Sequence, residues 1–203
     1  MFNKKCTKLV AAMGLTLSAG VAQAALQNVV VNGDFETGDL TGWKFDNSPS
    51  GTTGVVSDNS DIGPAPANTG SFAGQMYADG SGGTSFPILK LERLAEGLLT
   101  DGAAVTVTYD AYSPLQTVDI NAGENVGKVV FIAELLTEKT GDNGATNEIL
   151  QQAPNFLGEG WTRYTFDTFL GADAGGGVSL LFKADCGASA NCRFDARIDN
   201  VSI

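Results

Sequence analysis

The chain ends ARIDNVSI, and the acid in that stretch needs a reason. In a closing strand Ile198 and Asn200 alternate with Asp199 and Val201. Asp199 is then either a solvent-facing carboxylate or a metal ligand. Histidine is absent from all 203 residues. That excludes Ser-His and Cys-His nucleophiles, histidine proton transfer and histidine zinc sites. The 23 Asp and Glu residues could include a hydrolase pair set about 5–10 Å apart, but alternation along a strand does not locate one. Cys186 and Cys192 flank GASAN. In an exported protein they are expected to form a disulfide across a turn. So short a loop would add at most about 2–3 kcal/mol.

Export is expected from the first 24 residues. Lys4, Lys5 and Lys8 precede an apolar run from Leu9 to Val21, and Ala22-Gln23-Ala24 follows in the pattern of a cleavage site. The run is too short and glycine-broken to span a bilayer stably. No later segment is apolar over a spanning length, so no membrane insertion is expected. Cleavage near Ala24 would leave residues 25–203 as a single domain of about 179 residues, long enough for a real core, and secreted or periplasmic. Loss of the three lysines takes the net charge from −11 to −14. Such a surface is ill suited to nucleic acid, whose phosphates need Lys and Arg. Solubility alone also accounts for it.

Strand signals recur along the chain, with glycine-rich turns between them. They cover residues 29–31, 72–78, 104–112, 128–136, 161–169, 178–184 and 193–203. In 104–112, Val105, Val107 and Tyr109 share one face, and Thr106, Thr108, Asp110 and Tyr112 the other. In 161–169, Tyr164 and Phe166 oppose Arg163, Thr165 and Asp167. The run 128–136 is nearly all apolar, as in a strand buried on both faces. Residues 47–70 read as a loop and 137–147 as a hairpin connection. Residues 88–99 carry apolar positions at helix spacing, with a strand and a turn as the alternative. Many short strands point to an all-β sandwich or jelly roll.

The ordered motifs NGDFETG then GW, NTGSFAG, WTRYTF and a final IDNVSI resemble those of carbohydrate-binding modules of families four, nine and twenty-two. The resemblance covers essentially all of the chain after residue 24, more weakly at 88–99 and 118–127. It implies a galactose-binding-like β-jelly roll of two antiparallel sheets whose first and last strands meet near a structural calcium ion. Carried over by position, Glu36 and Asp199 are the leading ligands, and Asp34 and the 68–71 loop, with Ser71, could add oxygens. Calcium takes hard oxygen donors in flexible geometry. Phe35 and Trp43 are then core residues, and Trp161 a packing residue.

The resemblance also implies a polysaccharide or glycan partner. Sugars need aromatic faces and planar hydrogen-bonding groups. On the strand faces opposite the expected core stand Gln75, Tyr77, Asp110, Tyr112, Arg163 and Lys183, each equally readable as a solvated surface residue. Residues 179–185, SLLFKAD, resemble one strand of jelly-roll alginate lyases. The companion strands of that family and its histidine are missing, so a non-catalytic module is expected. An exported adhesion or matrix protein on the same fold, or less favoured a polysaccharide lyase or glycoside hydrolase, is the alternative.

Overall fold

The computed structural model describes residues 28–46, 51–57, 70–80, 87–119, 124–127, 129–141, 146–171, 173–185 and 192–203. The side chains of 116–119, 124–127, 146–153, 185 and 192 lie outside that description. The proposed leader falls outside it too, as do Cys186 and the side chain of Cys192.

Eleven strands are described: β1 (Lys44–Asp46), β2 (Gly51–Ser57), β3 (Phe72–Asp79), β4 (Ile88–Leu94), β5 (Ala104–Asp119), β6 (Glu124–Gly127), β7 (Val130–Glu138), β8 (Thr146–Phe156), β9 (Thr162–Phe169), β10 (Val178–Asp185) and β11 (Cys192–Ser202). All pairings are antiparallel. One sheet runs β1-β4-β10-β7-β8 and the other β2-β3-β11-β5. The far edge of the long β5 is shared: β9 pairs with residues 104–111 and β6 with 117–119. The fold is therefore the expected all-β sandwich. No described helix is long and apolar enough to cross a membrane.

Alternation builds the core between the sheets. Val105, Val107 and Tyr109 of β5 meet Phe131, Ala133 and Leu135 of β7 and Leu180 and Phe182 of β10. Glu134 and Leu136 are buried as well, so β7 is covered on both faces along much of its length, in keeping with its apolar run.

Four expectations change. Residues 88–94 are a strand, not a helix: Arg93 and Ala95 take left-handed φ of 51° and 55°, which an α-helix does not accommodate. Residues 29–31 form no strand. The loop read over 47–70 contains β2, whose uncharged GTTGVVS pairs with β3. Strand β8, unmarked in the sequence reading, pairs along all of β7.

The N-terminal turn plugs one end of the sandwich. Phe35 is fully buried and stacks on Trp43 at 5.0 Å. Trp43 continues to Phe182 at 6.1 Å and donates its indole N–H to the Asn32 carbonyl at 3.0 Å. The ring of Phe35 lies over Gly74 so closely that a Cβ there would stand 2.5 Å from Phe35 Cζ. Glycine at 74 is thus a packing requirement. We predict that Phe35→Ala lowers unfolding free energy by about 3–5 kcal/mol and that Gly74→Ala also destabilises. Urea titration measures both, and a loss under about 1 kcal/mol for Phe35→Ala would remove the plug from the account.

Candidate functional site

The sheet β2-β3-β11-β5-β9 turns one face outward, and the cross-strand register fixes what stands on it. Arg197 pairs with Gln75 and Tyr112, Asp195 with Tyr77, Asp199 with Asp110, and Arg163 with Asp110. Five of the six residues selected for ligand contact therefore share this face: Gln75, Tyr77, Asp110, Tyr112 and Arg163. Lys183 does not. It lies on the outer face of the opposite sheet, 3.4 Å from Glu134, because β10 points Phe182 and Ala184 inward.

Two of the five are not surface residues. Asp110 and Tyr112 are fully buried. Trp161 covers Tyr112 at 4.2 Å between ring centroids, and with Ala73 and Val56 the two form a small apolar cluster outside the main core. Trp161 is thus a packing residue, and its indole nitrogen is buried without a hydrogen-bond partner among the described residues. Arg163 grips Asp110 with two bonds of 2.8 Å, the planar fork geometry that favours arginine. Arg197 donates to the Tyr112 hydroxyl at 2.9 Å and to Asp195 at 3.2 Å. Gln75 donates to Asp195 at 3.0 Å. Tyr77 is half-buried.

The sequence reading missed Asp195, Arg197 and Asn200. The alternation of Arg193, Asp195 and Arg197 with Phe194, Ala196 and Ile198 carried the signal for the first two. For Asn200 there was none, because its place depends on a bulge. It has φ of 51°, and the pairing of β11 with β5 slips between Asp199 and Ser202. Ile198 and Val201 thereby both face the core, while Asp199 stays outward beside Asp110. The Asn200 side chain bridges the two acids, at 3.0 Å to Asp110 and 3.3 Å to Asp199.

The four residues proposed for calcium gather at this end. Val201 N–H donates to the Gly33 carbonyl at 2.8 Å, joining the N-terminal turn to β11. Glu36 Oε1 accepts the Ser71 and Phe72 amides at 2.7 and 2.9 Å. A Cβ on Gly70 would sit 2.2 Å from that oxygen. Asp34 accepts the Glu36 amide at 3.4 Å. Asp199 is 1% exposed. Burial pushes its pKa up to about 7; the Asn200 amide opposes this, and the charges of Asp110, Asp34 and Glu36 add to it. No described Lys or Arg pairs with Asp199. Among the described residues no three Asp, Glu, Cys or His side chains converge on one point.

No family model matches the chain, and no curated protein matches it in sequence. Solved structures match its backbone. The enzymatically active domain of tailspike protein 4 from bacteriophage CBA120 superposes with a TM-score of 0.60 at 12% identity, over 86% of this chain and 21% of that one. This chain thus spans about a fifth of that protein. TmCBM61, solved with β-1,4-galactotriose, gives 0.54 at 14% identity over 87% and 97%. The CBM22-1 xylan-binding domain of Paenibacillus barcinonensis Xyn10C gives 0.51 at 12% over 87% and 92%. The chain has the β-sandwich fold of these carbohydrate-binding modules.

Because the Asp199 carboxyl in the folded state titrates near pH 7, against an ordinary 3.8, the native state holds a proton that the unfolded chain has released. Its contribution to stability is full below pH 4 and declines by on the order of 1.4 kcal/mol per pH unit up to about pH 7. We predict this decline in chelator-treated protein, measured as wild type minus Asp199→Asn. Parallel curves for the two proteins would contradict it.

Proposed function

We propose that the protein is an exported, non-catalytic glycan-binding module whose recognition surface is the outer face of the β2-β3-β11-β5-β9 sheet. One observation carries the reading: Gln75, Tyr77, Arg163, Asp195 and Arg197 are drawn from three strands, β3, β11 and β9, onto that face, on a fold shared with domains solved as galactotriose- and xylan-binding modules. Paired acids and arginines hold planar groups in fixed orientation, and fixed planar donors and acceptors suit hydroxyl recognition. The leader-like first 24 residues support export.

Calcium belongs to the same proposal. Asp199 would anchor it with Asp34 or Glu36, and backbone carbonyls and water would complete the shell of oxygens, since no three described carboxylates converge on one point. Bound there, the ion supplies positive charge that offsets the repulsion among these acids and keeps Asp199 ionised. The chain's own part is to bring the acids together: alternation along β11 keeps Asp199 outward beside Asp110, and the Ser71 and Phe72 amides orient Glu36.

The test is affinity electrophoresis of the protein through a panel of polysaccharides including galactan and xylan, with calcium or chelator, alongside assays for new reducing and unsaturated ends. Retardation without new ends is expected. Retardation by none would leave the adhesion reading in its place, and new ends would make the protein an enzyme. Chelator should lower the melting temperature, and Asp199→Ala should abolish that sensitivity. An unchanged melting curve would remove the calcium.

A further inference from the structure

The middle of the outer face is closed by its own side chains. Tyr112 lies under Trp161 and Arg197, and Asp110 under Arg163 and Asn200. One end of the same face is open. The pairing of β11 with β5 stops at Ser202 opposite Thr108, while β9 accompanies β5 down to Ala104. Residues 104–106 therefore have a described strand on one side only. A cavity of about 350 Å³ lies there, with Asn28, Ala104, Thr106, Thr108, Ser202 and Ile203 among its lining. This is at the small end of the roughly 300–1,000 Å³ typical of ligand pockets.

The lining combines apolar surface from Ala104, Val105 and Ile203 with neutral hydrogen-bonding groups. Thr108 and Ser202 share a hydroxyl–hydroxyl bond of 2.6 Å, and each retains acceptor capacity. Thr106 donates to Asp167 at 2.6 Å and keeps its oxygen as an acceptor. Asn28 uses its carbonyl oxygen for the Val30 and Ile203 amides, at 3.1 and 3.3 Å; its amide N–H groups donate to no described residue. Phe169 does not line the cavity, but it stands opposite the lining residue Ala104 in the register and so beside it on the same face. It is 70% exposed, one of the most exposed large apolar side chains described. An open aromatic ring beside a cluster of neutral hydroxyls is the combination that a sugar's apolar face and hydroxyl edge require. The Asp167 carboxylate, bonded to the lining Thr106, opposes a second negative charge nearby.

We propose that this cavity is a binding subsite for a single uncharged sugar unit, stacked on Phe169 and hydrogen-bonded by Thr106, Thr108, Ser202 and Asn28. The inference rests on the glycan-binding reading and moves the contact from the middle of the sheet to its end.

Calorimetry with β-1,4-galactotriose, xylohexaose and an oligogalacturonate tests it, using wild type, Phe169→Ala, Thr108→Val and Tyr77→Ala. Melting curves of all four check folding. The wild type should bind a neutral probe. Phe169→Ala and Thr108→Val should each weaken it by about tenfold or more at near-native melting temperature, and Tyr77→Ala should weaken it less. If Phe169→Ala and Thr108→Val bind like wild type while Tyr77→Ala loses affinity, the subsite is wrong and the glycan reading stands. Tighter binding of the oligogalacturonate overturns the uncharged class. Binding of no probe by the wild type overturns both.

Discussion

The contact between Phe35 and Gly74 organises one whole end of this protein. A phenylalanine held at φ of 56° by the turn around it enters the sandwich over a bare backbone. Trp43 then stacks on it and reaches Phe182, which touches Tyr109 at 5.1 Å and Phe131 at 5.5 Å. Both sheets are thereby tied through one chain of rings. The same turn places Gly33 beside Val201 and Glu36 against the Ser71 amide. Packing inside the sandwich thus decides where charge collects outside it.

That charge is distributed unevenly. Asp110 and Asp195 each have an arginine, so the folded chain offsets two of the acids on the outer face. Among the described residues Asp199 has only the amides of Asn200. A carboxylate directly across the strands from another, both out of water, raises its own proton affinity unless something positive arrives. The opposite sheet handles its acids differently. Lys90 stands 3.2 Å from Glu92 and 3.6 Å from the buried Glu138, and Lys44 also pairs with Glu92. The seam at Asp199 is therefore the place where the fold gathers acids without gathering a described base.

The outer face explains why aromatic residues chosen by alternation alone did not all become platforms. Tyr112 does point away from the core, as its position in AVTVTYDAY requires. Trp161, forty-nine residues later, lies against it, and the pair seals a second small core. Phe169 ends β9, where no later described strand covers it. Both rings occupy outward positions in strands; only the packing of neighbouring strands separates a buried one from an exposed one.

The amino-acid order alone determined the all-β class, the inward sets Val105, Val107, Tyr109 and Tyr164, Phe166, and the structural role of Phe35 and Trp43. Period-two alternation and turn residues are local properties, so a sequence displays them. Strand β4 was ambiguous because the apolar residues of ILKLERL fit both periods; the left-handed residues at 93 and 95 settled it. Tertiary structure alone decided that Lys183 faces the wrong side, that Asp110 and Tyr112 are buried, and that Arg197 and Asn200 complete their surroundings. It also decided that β5 outruns β11 and leaves a cavity at the sheet's end. These depend on which strands become neighbours and where their register slips, and long-range pairing of that kind is set by the packing of the whole sandwich.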